Sequence, residues 1–174
     1  MTASLLLQAV DFAATRHRMQ RRKDSEHTPY INHPVAVARL LAVEGGMTDT
    51  EILIAAVLHD VLEDTDTQPA EIEDLFGSRI LGLVLEVTDD KSLPKQQRKQ
   101  IQVQKAASSS ESARLVKLAD KICNLRDMHD TPPADWSIER RREYYDWARA
   151  VVDNLGNVHV GLQRLFDEQY AKRP

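Results

Sequence analysis

Seven consecutive apolar residues, 52–58, run directly into His59-Asp60-Val61-Leu62-Glu63-Asp64. On a continuous helix, residues four apart share a face, so His59 stands beneath Glu63 and Asp60 beneath Asp64. Four ionisable groups then stack in two tiers at the end of a helix too apolar for the surface. Burying them costs hydration free energy unless a cation sits among them. The competing reading is an ordinary solvated helix end continued by Asp66, since a His-Asp dipeptide alone recurs by chance.

A metal needs further donors, and the chain offers two. His33, in Asn32-His33-Pro34, stands at the entry to a helix, where a backbone carbonyl would also satisfy it. Asp120 and Asn124 share one face of an amphipathic helix, flanked by the stripe Leu118, Ile122 and Leu125. Taken alone, Asp120 reads better as half of a weak surface ion pair with Lys117 or Lys121. Taken together, His33, His59, Asp60 and Asp120 make a two-imidazole, two-carboxylate set suited to Mn²⁺, Fe²⁺ or Zn²⁺. Such a cation lowers the pKa of a water towards neutrality, which permits hydrolysis without a protein nucleophile. Consistently, the chain has no G-x-S-x-G elbow, no phosphate-binding G-x-x-x-x-G-K-[ST] loop and no G-x-G-x-x-G turn.

Three basic clusters point to the substrate. Arg16, Arg18, Arg21, Arg22 and Lys23 precede the His33 loop; Lys91, Lys95, Arg98 and Lys99 form the second; Arg140, Arg141 and Arg142 the third. The formal net charge is −4, so the chain has no global attraction for nucleic acid or anionic membrane. Local cationic clusters in such a chain suit a small, multiply phosphorylated molecule, although each also reads as a solvated helix face. Trp136, Tyr144, Tyr145 and Trp147 lie around the third cluster, available to stack on a base or to fill core.

The elements that must position these residues read as helices almost throughout. Leu6, Val10, Ala13 and Ala14, then Val35, Ala38, Leu41 and Ala42, then Leu115, Leu118, Ile122 and Leu125 recur at three and four. Helices are expected near 3–19, 34–44, 49–62, 69–76, 79–87, 94–106, 111–128, 137–154 and 157–170. Thr48 with Glu51 and Ser108 with Glu111 fit capping boxes, and Asn32 is placed to cap the helix that has Pro34 in its first turn. Gly45-Gly46 and Gly77 read as stops. Only 83–88 has strand character, and it would lack a partner.

The expected class is all-α, one domain over 1–174 of about nine or ten helices. With 42% hydrophobic and 29% charged residues, the chain can bury a core. No apolar run approaches the roughly 20 residues that span a bilayer, no secretion leader is visible, and the single Cys123 excludes an internal disulfide. A cytoplasmic protein is expected.

Five ordered motifs carry a resemblance. These are Arg22-Lys23; Thr28-Pro29-Tyr30-Ile31-Asn32-His33-Pro34; Leu58-His59-Asp60-Val61-Leu62-Glu63-Asp64-Thr65; Glu86-Val87-Thr88-Asp89-Asp90-Lys91; and Lys117-Leu118-Ala119-Asp120-Lys121 with Asn124-Leu125-Arg126. Over nearly the whole chain they resemble the HD-type hydrolase domain of RelA/SpoT proteins, above all the stand-alone small alarmone hydrolases. The resemblance implies an HD-domain helical bundle, a bound Mn²⁺, and 3′-pyrophosphohydrolase action on ppGpp to give GDP, or on pppGpp to give GTP. It assigns the metal to His33, His59, Asp60 and Asp120, and acid–base or water-orienting work to Glu63 and Asp64. Arg22 and Lys23 would face the guanine nucleoside, Asn124 would help to hold the nucleotide, and Lys95, Trp136, Arg140 and Tyr144 would line the pocket. It also implies hydrolysis without synthesis, since the synthetase and regulatory domains of the long RelA/SpoT proteins are absent from these 174 residues. The alternatives are an HD phosphatase for another nucleotide, such as the 2′-phosphate of NADPH, and a regulator that binds alarmone without hydrolysing it. Two residues depart from the family pattern. His27 stands where glycine is usual, which would strain a loop needing positive φ, and Cys123 stands where a bulkier residue is common.

Overall fold

The computed structural model describes residues 3–174, and among them the regular elements are all helical. They are α1 (Ala3–Arg16), α2 (Asn32–Arg39), α3 (Thr50–Leu58), α4 (Val61–Asp64), α5 (Pro69–Phe76), α6 (Ser78–Val87), α7 (Lys95–Lys105), α8 (Glu111–Asp130), α9 (Ile138–Leu155) and α10 (Val160–Tyr170). The all-α expectation therefore holds, and residues 83–88 are the end of α6, not a strand. No described helix is long and apolar enough to cross a membrane.

The bundle is built around α3. A helix apolar on every face must be buried on every face, and residues 52–58 all are. Helices α1, α2, α6 and α8 pack around it. The long α8 is the second spine, covered by α2, α6, α9 and α10. Fully burying a Leu or Ile side chain contributes roughly 1.5–3 kcal/mol, so Ile54, Leu58, Leu118, Ile122 and Leu125, all wholly buried, fix these two helices against each other. Of the residues expected to do chemistry, His59 and Asp60 follow the end of α3 and Asp120 and Asn124 sit on α8, while His33 comes from α2.

Several boundaries differ from the sequence expectation. The helix expected over 49–62 is broken: α3 stops at Leu58 and α4 starts at Val61. The His59 ring nitrogen Nδ1 takes the Ala56 carbonyl at 2.7 Å, the oxygen that the Asp60 amide would have used. Asp60 sits at φ −103°, ψ −2°, the bridge region that many active-site residues occupy. The first cap is Asp49, not Thr48; its carboxylate accepts from the Glu51 amide. Ser110, not Ser108, caps α8, because a 3₁₀ turn over Ala106–Ser108 prolongs α7 as far as Ser108. Asn32 lies inside α2 and caps nothing; the residue before it, Ile31, has no capping side chain.

Helix α2 runs on into a π-turn over Leu40–Glu44, closed by the Gly45 amide on the Leu40 carbonyl at 2.9 Å. Helix α1 ends three residues short of expectation. The Gln20 amide turns back onto the His17 carbonyl at 2.8 Å, and the chain swings towards the C-terminal end of α3. In the loop that follows, His27 adopts φ +52°, so the residue standing at the usual glycine position does take the left-handed conformation.

Candidate metal centre and nucleotide pocket

His33 enters from the first turn of α2, His59 and Asp60 from the break between α3 and α4, and Asp120 from the middle of α8. Ligand atoms of His33, His59 and Asp60 all lie within 4.8 Å of one another. His59 Nε2 is 2.9 Å from Asp60 Oδ2 and 3.7 Å from Asp120 Oδ1, and His33 Nε2 is 3.1 Å from the same Asp120 oxygen. The fold thus brings the four residues together at one point.

The donor set fits a divalent cation. With Nδ1–H of His59 donating to the Ala56 carbonyl, the Nε2 lone pair is left facing two carboxylates, buried and without a hydrogen-bond partner. That is the usual way a protein orients a ligating imidazole. The electrostatics agree. Burial disfavours the imidazolium, yet Asp60 and Asp120 together pull the His59 pKa up to about 10, so the cluster calls for positive charge at its centre. Burial opposes ionisation of Asp60 and Asp120 as well, and their cationic neighbours, His59 and Lys121 respectively, nonetheless hold both below the usual carboxylate range.

Outer contacts fix each of these groups. Tyr30 O–H donates to Asp60 Oδ2 at 2.5 Å. Asn124 Nδ2 donates to Asp120 Oδ1 at 2.6 Å, and Lys121 Nζ to its Oδ2 at 3.0 Å. Lys121 is itself buried, with its ammonium 4.3 Å above the Trp147 ring. The role of Tyr30 is not visible in sequence pattern, because its partner Asp60 is brought near only by the tertiary fold; Lys121 pairs with its neighbour Asp120, but buried and not at the surface.

Glu63 and Asp64 diverge. Asp64 accepts from Gln20 Nε2 at 2.7 Å and from Lys91 Nζ, and it lines a cavity beside the His–Asp cluster. Glu63 is held by a different set of partners. Its Oε2 accepts from the Asp89 amide at 3.1 Å, and Arg98 lies 3.4 Å from Oε1. Burial, with the charges of Asp60 and Asp89, raises the Glu63 pKa to about 7.

The cavity beside the cluster has a volume of about 370 Å³. Of the expected substrate residues, Arg22, Lys23, Asn124, Trp136 and Tyr144 line it. Lys95 and Arg140 do not line it; they lie over the Trp136 ring at 5.8 and 4.2 Å. Arg22 is held by Asp127, another lining residue that sequence reasoning missed. Trp136 and Tyr144 meet edge to face at 5.8 Å, and Tyr144 meets Trp147 at 5.3 Å, so an aromatic row leads from the cavity to Lys121. Tyr145, by contrast, is core.

Comparisons with known proteins agree with this geometry. The family model described as HD domain matches residues 9–146. The human guanosine-3′,5′-bis(diphosphate) 3′-pyrophosphohydrolase MESH1 is 52% identical, the match covering 98% of this chain and 96% of the human protein. Its Drosophila melanogaster counterpart is 50% identical over 96% of this chain and 93% of its own length. The solved structure of a metazoan orthologue of SpoT, described as hydrolysing ppGpp and acting in starvation responses, superposes with a TM-score of 0.96. It is 48% identical, and the match covers 99% of this chain and 97% of that one. With the family model spanning most of its helices and such relatives matching almost end to end, the chain belongs to the HD-domain family, in the group that MESH1 represents.

Proposed function

We propose that the chain, acting as one domain over 1–174, is a metal-dependent guanosine-3′,5′-bis(diphosphate) 3′-pyrophosphohydrolase. It converts ppGpp to GDP and pyrophosphate, and pppGpp to GTP and pyrophosphate. The observation that carries this reading is the convergence of His33, His59, Asp60 and Asp120 beside a cavity walled by Arg22, Lys23, Trp136 and Tyr144. The hydrolytic activity named for relatives matching almost the full length supports it.

The four residues hold the cation, with Mn²⁺ as the proposed occupant. When bound, it polarises phosphate oxygens and lowers the pKa of a water. Arg22 and Lys23 offset the negative charge of the nucleotide, while Trp136 and Tyr144 offer ring faces to the guanine. Asn124, tied to Asp120, helps to seat the nucleotide. Lys95 and Arg140, stacked on Trp136, stiffen the aromatic wall and supply charge at its rim. Asp64, fixed by Gln20 and Lys91, orients the attacking water. Glu63, with a pKa near neutrality, suits the transfer of that water's proton.

The test is incubation with ppGpp and Mn²⁺, with and without chelator, with products separated by ion exchange. GDP and pyrophosphate in equal amounts, lost with chelator and lost in His59→Ala along with the metal, are expected. Release of inorganic phosphate instead of pyrophosphate, or binding of ppGpp without turnover, would overturn the assignment. NADPH in the same panel, read by phosphate release, measures whether the 2′-phosphate is also accepted.

A further inference from the structure

A second cavity, also of about 370 Å³, lies between the ends of α6 and α9, the face of α7 and the first turns of α8. It shares no lining residue with the nucleotide pocket. Such a volume lies within the usual range for small-molecule sites. Its charges are unevenly engaged. Each lining carboxylate is already satisfied by the chain: Glu86 accepts from the Ser110 amide at 2.7 Å, Asp89 from Gln102 Nε2, and Asp90 from Ser92. The cations are engaged only in part. Arg98 reaches Glu63 through Nη1 at 3.4 Å, Arg114 Nη1 donates to the Leu155 carbonyl at 2.9 Å and Lys117 to the Val87 carbonyl at 2.9 Å, but Arg98 Nε and Arg114 Nε are buried with no hydrogen-bond partner, and Lys105 makes no ion pair among the described residues. The cavity thus has a surplus of N–H donors set in an apolar frame that includes Leu85, Ile101 and Leu155. A buried donor left unmatched costs about 1–3 kcal/mol, and two guanidinium edges are suited to phosphate or carboxylate oxygens.

We propose that this cavity is a second ligand site, taking a small phosphate- or carboxylate-bearing molecule between Arg98, Lys105 and Arg114. The site is wired to the first. Two of its walls, the Asp89 amide and Arg98, are the same groups that hold the Glu63 carboxylate. An anion that engages Arg98 competes with Glu63 for it, so occupancy alters the proton-handling group without touching the nucleotide pocket.

The test uses the full chain, isotope-labelled and metal-free, titrated separately with inorganic phosphate, pyrophosphate and citrate. The Nε–Hε resonances of Arg98 and Arg114 and the amides of 108–113 are followed. A saturable shift at these positions is expected. In Arg114→Gln and in the exposed Lys105→Gln, whose fold is not at risk, half-saturation should move up at least ~10-fold. Shifts at Arg22 and Asn124 report the nucleotide pocket and should be unchanged by either variant. The phosphate and citrate arms decide which oxyanion is preferred. Arg Nε signals that do not move, move without saturating, or saturate in both variants at the wild-type concentration would overturn the site. Because occupancy is read without turnover, this result is independent of the hydrolytic reading. The further expectation, that a saturating ligand changes ppGpp turnover in wild type and not in Lys105→Gln, rests on that reading.

Discussion

At the residue scale, Glu63 and Tyr30 are the informative side chains. Glu63 titrates near 7 in the folded chain against an ordinary 4.5. Between those values the folded state holds a proton that the unfolded state has released, so stability falls as pH rises from about 4.5 to 7 and is flat above. The ionised carboxylate thus costs the metal-free fold on the order of 3 kcal/mol or less at pH 8, taking the shift at 1.36 kcal/mol per pH unit. Metal-free Glu63→Gln is therefore expected to resist urea better than wild type at pH 8 and equally at pH 4.5. Turnover of the same variant should drop ~10²-fold or more, and the acid limb of its pH–rate profile should vanish; an unaltered profile would remove Glu63 from proton transfer. Tyr30 contributes one hydrogen bond to Asp60. Tyr30→Phe should keep the fold and lose metal affinity by ~10-fold or more, as outer-contact losses do, measured by Mn²⁺ titration.

At the element scale, the helices were readable because their apolar residues repeat at three and four, and the break at His59-Asp60 was not. Nothing in Leu58-His59-Asp60-Val61 signals a stop; there is no glycine or proline. The break comes from a side chain taking a backbone acceptor, the His59 ring on the Ala56 carbonyl. For the same reason the two-tier stack expected of a continuous helix did not form, and Glu63 faces Asp89 and Arg98 instead. The four residues proposed as metal ligands were readable as types in sequence, and so was the pairing of Lys121 with its neighbour Asp120, while the contacts of Tyr30, Gln20 and Asp127 were not, since each is defined by a partner distant in the chain. The loop before α2 shows the opposite case. A departure visible in sequence, His27, has its counterpart in a φ of +52°. A left-handed residue with a Cβ costs roughly 1–2 kcal/mol, and glycine's extra unfolded-state freedom returns about 0.4–1 of it. His27→Gly should therefore raise stability by a fraction of a kcal/mol, and His27→Val should lower it by about 1–3 kcal/mol, both read from urea midpoints.

At the scale of the whole molecule, the proposed ligands come from α2, the α3–α4 break and α8, so a cation binding them ties three separate stretches of chain together. Such a cation binds only the folded state. Free Mn²⁺ at 100 times its dissociation constant should add about 2.7 kcal/mol to unfolding free energy. Chelator should reverse the gain, and His59→Ala should abolish it. A midpoint insensitive to Mn²⁺ would dissolve the centre. The net charge of −4 is no obstacle to a polyanionic substrate, because Arg22, Lys23, Lys95 and Arg140 are gathered around one opening.

Helix α7 contains no buried residue, although it carries Lys95, Arg98 and Lys99. Substitutions on such a surface usually change stability by less than about 0.5 kcal/mol, whereas α3 is buried throughout 52–58. Mutational drift is therefore cheaper on the helix proposed to stand at the rim of the nucleotide pocket than on the helix that leads into His59. Descendants of this chain can retune what they accept, one α7 side chain at a time, while inheriting the same catalytic core.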